Sequence, residues 1–143
     1  MSAKALILNN SMAKNKSSGK KKFNLEFEMR SSPRILFNYL STASGLQAWF
    51  ADNVIVQDGN YIFQWQEEDD ATAEMINNKD NQSVRFKWVN EDEEVYTEFE
   101  IITDDITSDV GLMITDFAES EDLEEAQMIW EAQVDKLRNV LGS

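Results

Sequence analysis

Carboxylates are the groups that could do chemistry in this chain, which has 27 Asp and Glu residues but no cysteine and no histidine. This composition excludes disulfides, thiol catalysis, Ser-His and Cys-His mechanisms and most zinc sites. Most carboxylates fall in loops or at outward strand positions, and no pair has a spacing that indicates a glycosidase or cyclase. We therefore expect no catalytic residues and no cofactor, and a cyclase or hydrolase is the least favoured function.

Two acidic runs resemble metal-binding loops at first sight, "EEDD" at 67–70 and "EDEE" at 91–94. Neither has the alternating ligands, the glycine and the terminal glutamate of an EF-hand loop. We expect solvated loops and no metal site.

Asp116 is the exception among the acids, because it shares a strand face with Val110, Leu112 and Ile114. It either points inward near the end of the sheet or lies past the buried zone in solvent, and the second interpretation is favoured. If it points inward, Asp116, Thr97 and the Tyr61 hydroxyl are the candidate polar groups of a binding pocket.

Aromatic residues are the main feature of the predicted inward faces. They lie on several strands and on the last helix: Tyr61, Phe63, Trp65, Phe86, Trp88, Phe99 and Trp130. The rings either form a solid core or line a ligand pocket of roughly 300–1,000 Å³, and the sequence leaves both interpretations open.

Trp49 and Phe50 stand side by side where a short helix ends. Neighbouring helical residues point about 100° apart, so one ring can fill the core while the other reaches the mouth of a cavity. The alternative is that both rings fill the joint between helix and sheet.

The elements that position these residues follow from periodicity. Strict alternation in "FNLEFEMR" predicts a strand from Phe23. "SSPR" predicts the start of a short helix capped by Ser32, and Ser44 can cap a second short helix. About six further antiparallel strands follow, then a helix of roughly twenty residues with apolar positions at helical spacing, ending at Gly142. This order predicts an α+β domain in which one long helix covers one face of an antiparallel sheet.

Two hairpins have predicted registers. Asp58-Gly59 predicts a two-residue turn that places Val56 opposite Tyr61 and Val54 opposite Phe63. For "SVRFKWV" and "VYTEFEI" we expect a four-residue loop at 91–94, so that Asn90 faces Val95. The partners are then Lys87 with Glu98, Arg85 with Glu100, Phe86 with Phe99, and Val84 with Ile101.

Charge divides the chain in two. Residues 1–22 hold six lysines and no acid, which predicts a flexible basic tail before a domain at 23–143. The remainder carries seven basic and 27 acidic residues, so duplex nucleic acid is an unfavourable partner. No apolar run has the length of a membrane span, and we expect a cytoplasmic bacterial protein of unspecified oligomeric state.

The order of elements resembles the helix-grip fold of the START-like superfamily, which includes the birch pollen allergen. "SSPRILFNYLSTASGLQAWF" is similar to the opening of relatives of the activator of the heat-shock chaperone ATPase, with Trp49-Phe50 matching their aromatic pair. Trp130 and "VDKL" are similar to their last helix. The resemblance implies non-catalytic binding of a small apolar or amphipathic molecule between the sheet and the last helix. A protein-interaction module is the alternative that it also implies.

Overall fold

The computed structural model describes residues 20–89, 91 and 94–142. The strands and helices follow in the order that the sequence predicts. The strands are β1 Lys20–Met29, β2 Asn53–Gln57, β3 Asn60–Gln64, β4 Ala71–Lys79, β5 Ser83–Trp88, β6 Tyr96–Thr103 and β7 Val110–Glu119. The helices are α1 Pro33–Ser41, α2 Ala43–Trp49 and α3 Leu123–Leu141, the last preceded by a 3₁₀ turn at Ser120–Asp122.

All seven strands form one antiparallel sheet in the order β1-β7-β6-β5-β4-β3-β2. The long helix α3 buries Ala126, Trp130, Val134 and Leu137. The expected α+β architecture is confirmed, with a curved sheet around the C-terminal helix. None of the helices in the described part of the chain is long and apolar enough to cross a membrane.

Strand β1 begins at Lys20, three residues before the predicted start at Phe23. Lys20 pairs with Glu119 of β7, and its Nζ lies 2.6 Å from Glu91 Oε1 in an ion pair whose side chains are almost fully buried. The lysine triplet was interpreted as part of a linker because sequence composition does not reveal a partner strand. Residues 1–19 of the predicted tail lie outside the described residues.

The two short helices pack closely through a glycine. Ser32 caps α1 as predicted, since its Oγ accepts a hydrogen bond from the Ile35 N–H at 3.2 Å. Thr42, and not the predicted Ser44, caps α2 in the same way, with the Gly45 N–H at 2.9 Å. A Cβ at Gly45 would lie only 2.6 Å from Tyr39 Cα, so the bend between α1 and α2 requires glycine there.

The first hairpin has the predicted register. Val54 pairs with Phe63 and Val56 with Tyr61, around a turn in which Asp58 and Gly59 both have positive φ. Positive φ at both central residues defines a type I′ turn, so the Asp-Gly signal fixed the pairing.

The predicted register of the second hairpin is wrong by two residues. Arg85 pairs with Glu98 rather than Glu100, and Lys87 pairs with Tyr96 rather than Glu98. Inside the sheet, Phe86 pairs with Thr97 and Val84 with Phe99.

A shift of two residues leaves every side chain on its predicted face, so the hydrophobic pattern cannot distinguish the two registers. The connection is longer than the predicted four-residue loop, and Asn90 of the predicted pair lies outside the described residues. In the observed register Arg85 Nε lies 3.3 Å from Glu98 Oε2.

Candidate functional site

The predicted site residues converge between the sheet and α3. Nine of the eleven are buried: Trp49, Phe50, Phe63, Phe86, Trp88, Thr97, Phe99, Asp116 and Trp130. Tyr61 and Trp65 are partly buried and pack against the same core. The aromatic residues and Thr97 therefore face inward as the sequence predicted, whereas Asp116 was favoured as solvated.

Rings fill the space in which an enclosed cavity was predicted. Phe50 stacks on Trp130 with centroids 5.8 Å apart and meets Phe63 edge-on at 5.1 Å. Phe99 lies 6.0 Å from Trp130 and 5.6 Å from Trp49. These are the tilted and offset distances at which aromatic rings attract each other. The expected pocket between Phe63 and Trp130 is therefore occupied by protein, because the rings interlock across the curved sheet.

Trp49 and Phe50 are both buried, at 1% and 3% exposure. The Trp49 indole Nε1 donates to the Tyr39 carbonyl at 2.8 Å, which ties α2 to α1. The alternative in which both rings fill the joint between helix and sheet describes their packing. Both residues also line the open groove described below.

Asp116 is fully buried, and the favoured solvated interpretation was wrong. Its Oδ1 accepts a hydrogen bond from Thr97 Oγ1 at 3.0 Å, and its Oδ2 accepts from Trp130 Nε1 at 3.0 Å. Trp88 Nε1 donates in turn to Thr97 Oγ1 at 2.8 Å. This buried network links β5, β6, β7 and α3. Asp116 is inward because α3 crosses β7 at this point and supplies an indole donor.

The other two candidate polar groups also bond within the protein. Thr97 belongs to the Asp116 network, and the Tyr61 hydroxyl donates to the Ser41 carbonyl at 2.9 Å. Burial raises the pKa of the Tyr61 phenol above its ordinary value of 10.0. These groups hold the core together and do not converge on a common ligand position.

An open groove lies beside this core, between α3 and the segment that follows β3. Its volume is about 860 Å³. Its floor contains Trp49, Phe50 and Trp65, and the α3 wall contains Met128 and Ile129. Met128 is 65% exposed, so the groove presents apolar surface directly to solvent.

Hydrogen bonds hold the walls of the groove in place. The Phe50 carbonyl accepts from Trp65 Nε1 at 2.8 Å and from Gln133 Nε2 at 3.3 Å, which joins the end of α2 to the segment after β3 and to α3. Asp52 Oδ2 accepts from the Gln66 N–H at 2.7 Å. The groove is therefore formed before any ligand arrives, which reduces the entropic cost of binding.

Polar and apolar groove residues outside the aromatic set were not predicted as site residues. They are Ala51, Asp52, Gln66, Glu67, Glu68, Glu125, Met128, Ile129, Ala132, Gln133 and Lys136. The sequence contained one signal for these residues, because Met128 is apolar but lies outside the buried face of α3. The acidic run at 67–70 was interpreted as a solvated loop. Among the described residues, no group of three or more acidic side chains is placed to hold a metal ion.

The fold and this groove define an α+β helix-grip protein whose long helix packs across a seven-stranded sheet. The chain belongs to the START-like superfamily, because the model of that domain family matches residues 17–143. The family resemblance found in the sequence is thus confirmed.

Solved structures agree with this assignment. The solution structure of BfR322 from Bacteroides fragilis is 32% identical, covers 85% of this chain and 91% of that one, and has a TM-score of 0.61. The Aha1 dimer from Colwellia psychrerythraea is 14% identical, covers 85% and 96%, and has a TM-score of 0.72. MLL2253 from Mesorhizobium loti is 12% identical, covers 85% and 97%, and has a TM-score of 0.70. The last two show likeness of fold alone, and no curated protein matches the sequence significantly.

Proposed function

We propose that the protein binds a small amphipathic molecule in the open groove between α3 and the segment after β3. The observation that supports this most directly is the apolar floor and wall, formed by Trp49, Phe50, Trp65, Met128 and Ile129. A volume of about 860 Å³ lies within the usual range of ligand sites, roughly 300–1,000 Å³. The ligand position differs from the sequence-based expectation, since it lies beside the ring cluster and not within it.

The ligand should be amphipathic because the floor of the groove is apolar and its rim is charged. Rings and aliphatic side chains line the bottom, whereas carboxylates of Asp52, Glu67 and Glu125 line the exposed edge. A molecule with an apolar body removes the floor from water, which contributes about 25 cal/mol per Å² of buried apolar surface. Its polar head remains at the rim, where desolvation of the carboxylates is avoided.

Binding of an uncharged, environment-sensitive dye such as Nile red tests the proposal. We expect one-to-one binding to the native protein, weakened about three- to tenfold by Met128→Gln because an exposed groove contact of roughly 1 kcal/mol is lost. Val140→Gln is the matched control, since Val140 is an exposed apolar residue of the same helix outside the groove. Ala132→Phe should block binding by filling the groove.

Equal dye affinity in Met128→Gln, Ala132→Phe and the control would contradict groove binding. Native mass spectrometry of the purified protein gives an independent measurement, because a retained molecule adds a defined mass. Loss of that mass in Ala132→Phe would place the natural ligand in the same groove.

Protein interaction is the second candidate function, and a separate observation favours it. Ile55 and Val56 are 40% and 50% exposed on β2, which is an edge strand of the sheet. Exposed apolar side chains beside a strand edge that no described strand pairs with are suited to strand addition by a partner. Val56→Lys should abolish such an association and leave dye binding in the groove unchanged. Loss of dye binding in this variant would argue against separate surfaces.

A further inference from the structure

Carboxylates dominate the charge around the groove. Four acidic residues line it, namely Asp52, Glu67, Glu68 and Glu125, and among the described lining residues one, Lys136, is cationic. We infer that the groove selects amphipathic molecules with a cationic head, such as an alkylammonium, an inference that rests on the proposed binding function. An anionic head, such as a fatty-acid carboxylate, meets a repulsive rim.

Among the described lining residues, Lys136 does not neutralise Glu125. Glu125 and Lys136 stand on the same helix about 16 Å apart, at 1.5 Å per residue. This separation exceeds the Debye length of about 8 Å at physiological ionic strength, so Glu125 is screened from Lys136. The other acidic rim residues lie on the opposite wall, after α2 and after β3, so negative charge flanks the apolar floor on both sides.

An aromatic ring at the groove adds a second attraction for a cation. Trp65 lines the groove and is only partly buried, while its Nε1 is held by the Phe50 carbonyl. The indole ring of tryptophan is the most favourable aromatic side chain for cation–π contact. A quaternary ammonium next to Trp65 would meet the ring and remain within reach of the acidic rim.

The charge of the whole protein acts in the same direction. The formal net charge is −14 at pH 7. Such a field attracts cations and repels anions before contact, which raises the association rate of a cationic ligand. Rim charges, net charge and the Trp65 ring therefore favour the same cationic head group.

Three probes with the same ten-carbon chain test the inference: decyltrimethylammonium, uncharged decyldimethylamine N-oxide at pH 8, and decanoate. Each is titrated below its critical micelle concentration, and displacement of Nile red is measured. We expect the cation to bind about tenfold more tightly than the amine oxide, and decanoate more weakly than both. The preference should fall several-fold between 0.05 M and 0.5 M NaCl, because the rim charges are exposed to solvent.

Removal of rim charge should reduce the preference for the cation over the amine oxide from about tenfold to about twofold. The double variant Glu67→Gln/Glu125→Gln changes two exposed residues of opposite walls, so we expect it to fold normally. It should bind the cation about fivefold less tightly and the amine oxide unchanged. Glu100→Gln/Asp105→Asn is the control with the same change in net charge, since both of its residues are exposed and lie outside the groove.

The outcomes separate this inference from the proposed function. Equal affinity for all three probes, or an equal loss of cation affinity in both double variants, would overturn selection by the rim and leave groove binding intact. Failure of every probe to displace the dye from a protein that binds it, or absence of dye binding, would overturn groove binding itself.

Discussion

Substitution of Asp116 tests the buried network that joins α3 to the sheet. In Asp116→Ala, the Trp130 indole N–H and the Thr97 hydroxyl each lose the carboxylate oxygen that accepts their hydrogen bond, at a donor–acceptor distance of 3.0 Å. Leaving a buried donor unsatisfied costs about 1–3 kcal/mol. Two such donors, with partial relaxation, predict a loss of about 3 kcal/mol in the free energy of unfolding.

The isosteric variant Asp116→Asn separates hydrogen bonding from volume. The amide oxygen can still accept from Trp130 Nε1, and the amide nitrogen can donate to Thr97 Oγ1, which already accepts from Trp88. One proton, that of the Thr97 hydroxyl, then loses its acceptor. Relief of charge burial offsets part of this loss, so we expect a cost below about 1 kcal/mol.

Urea-induced unfolding measures both variants, with Asp105→Ala as the control because Asp105 is an exposed acid in the turn between β6 and β7. The control should change stability by less than about 0.5 kcal/mol. The Trp130 indole N–H resonance should shift strongly in Asp116→Ala, which a general loss of stability would not produce. A cost for Asp116→Ala as small as the control, or for Asp116→Asn as large as for alanine, would refute this reasoning.

Three further predictions concern other parts of the fold. Lys20→Ala should cost about 1–3 kcal/mol in urea unfolding, because it removes one member of the almost fully buried Lys20–Glu91 ion pair, whereas Lys21→Ala at an exposed site should cost under about 0.5 kcal/mol. Gly45→Ala should lower stability by about 3 kcal/mol by the same measurement, because its Cβ would overlap the backbone of α1. The pKa of the Asp104 carboxyl should lie below 3.8 in an NMR titration, because backbone N–H groups, Thr107 first, donate to it. Its contribution to stability is therefore present above pH 3.8 and lost as the pH falls through the folded-state pKa.

The Lys20 prediction also revises the expected effect of truncation. The flexible basic tail that the sequence predicts at residues 1–22 would be removable without loss of stability. Strand β1 begins at Lys20, so removal through residue 22 takes away three strand pairs with β7 as well as the buried ion pair. A truncation through residue 22 that melts like the full chain would contradict the role of this pair.

The sequence predicts element types and faces well where a local rule determines them. Alternation identified the inward faces of β5 and β6, and Asp58-Gly59 set the register of the first hairpin because a two-residue turn permits one pairing. The second hairpin has a longer loop, and a two-residue shift conserves both faces. Attraction between Lys87 and Glu98 favoured the predicted register, but exposed ion pairs stabilise by under about 1 kcal/mol and do not determine the pairing of a sheet.

The burial of a side chain and the presence of a void depend on contacts between elements that are distant in the chain. Both features were therefore harder to predict from the sequence. Asp116 is buried because α3 crosses β7 and brings Trp130 to it, which no pattern within β7 indicates. The surplus of inward rings suggested a gap, but stacked and edge-on rings pack closely, as Phe50 does with Trp130 at 5.8 Å and with Phe63 at 5.1 Å.

The groove lies on the surface beside this packed core, and its walls come from α2, the segment after β3, and α3. Its apolar floor consists of the edges of core residues such as Phe50, so the same rings stabilise the fold and define the candidate site. Substitutions in the floor would therefore confound ligand binding with stability. Exposed wall residues, Met128 and Ala132 above all, allow binding to be changed while the ring cluster stays intact.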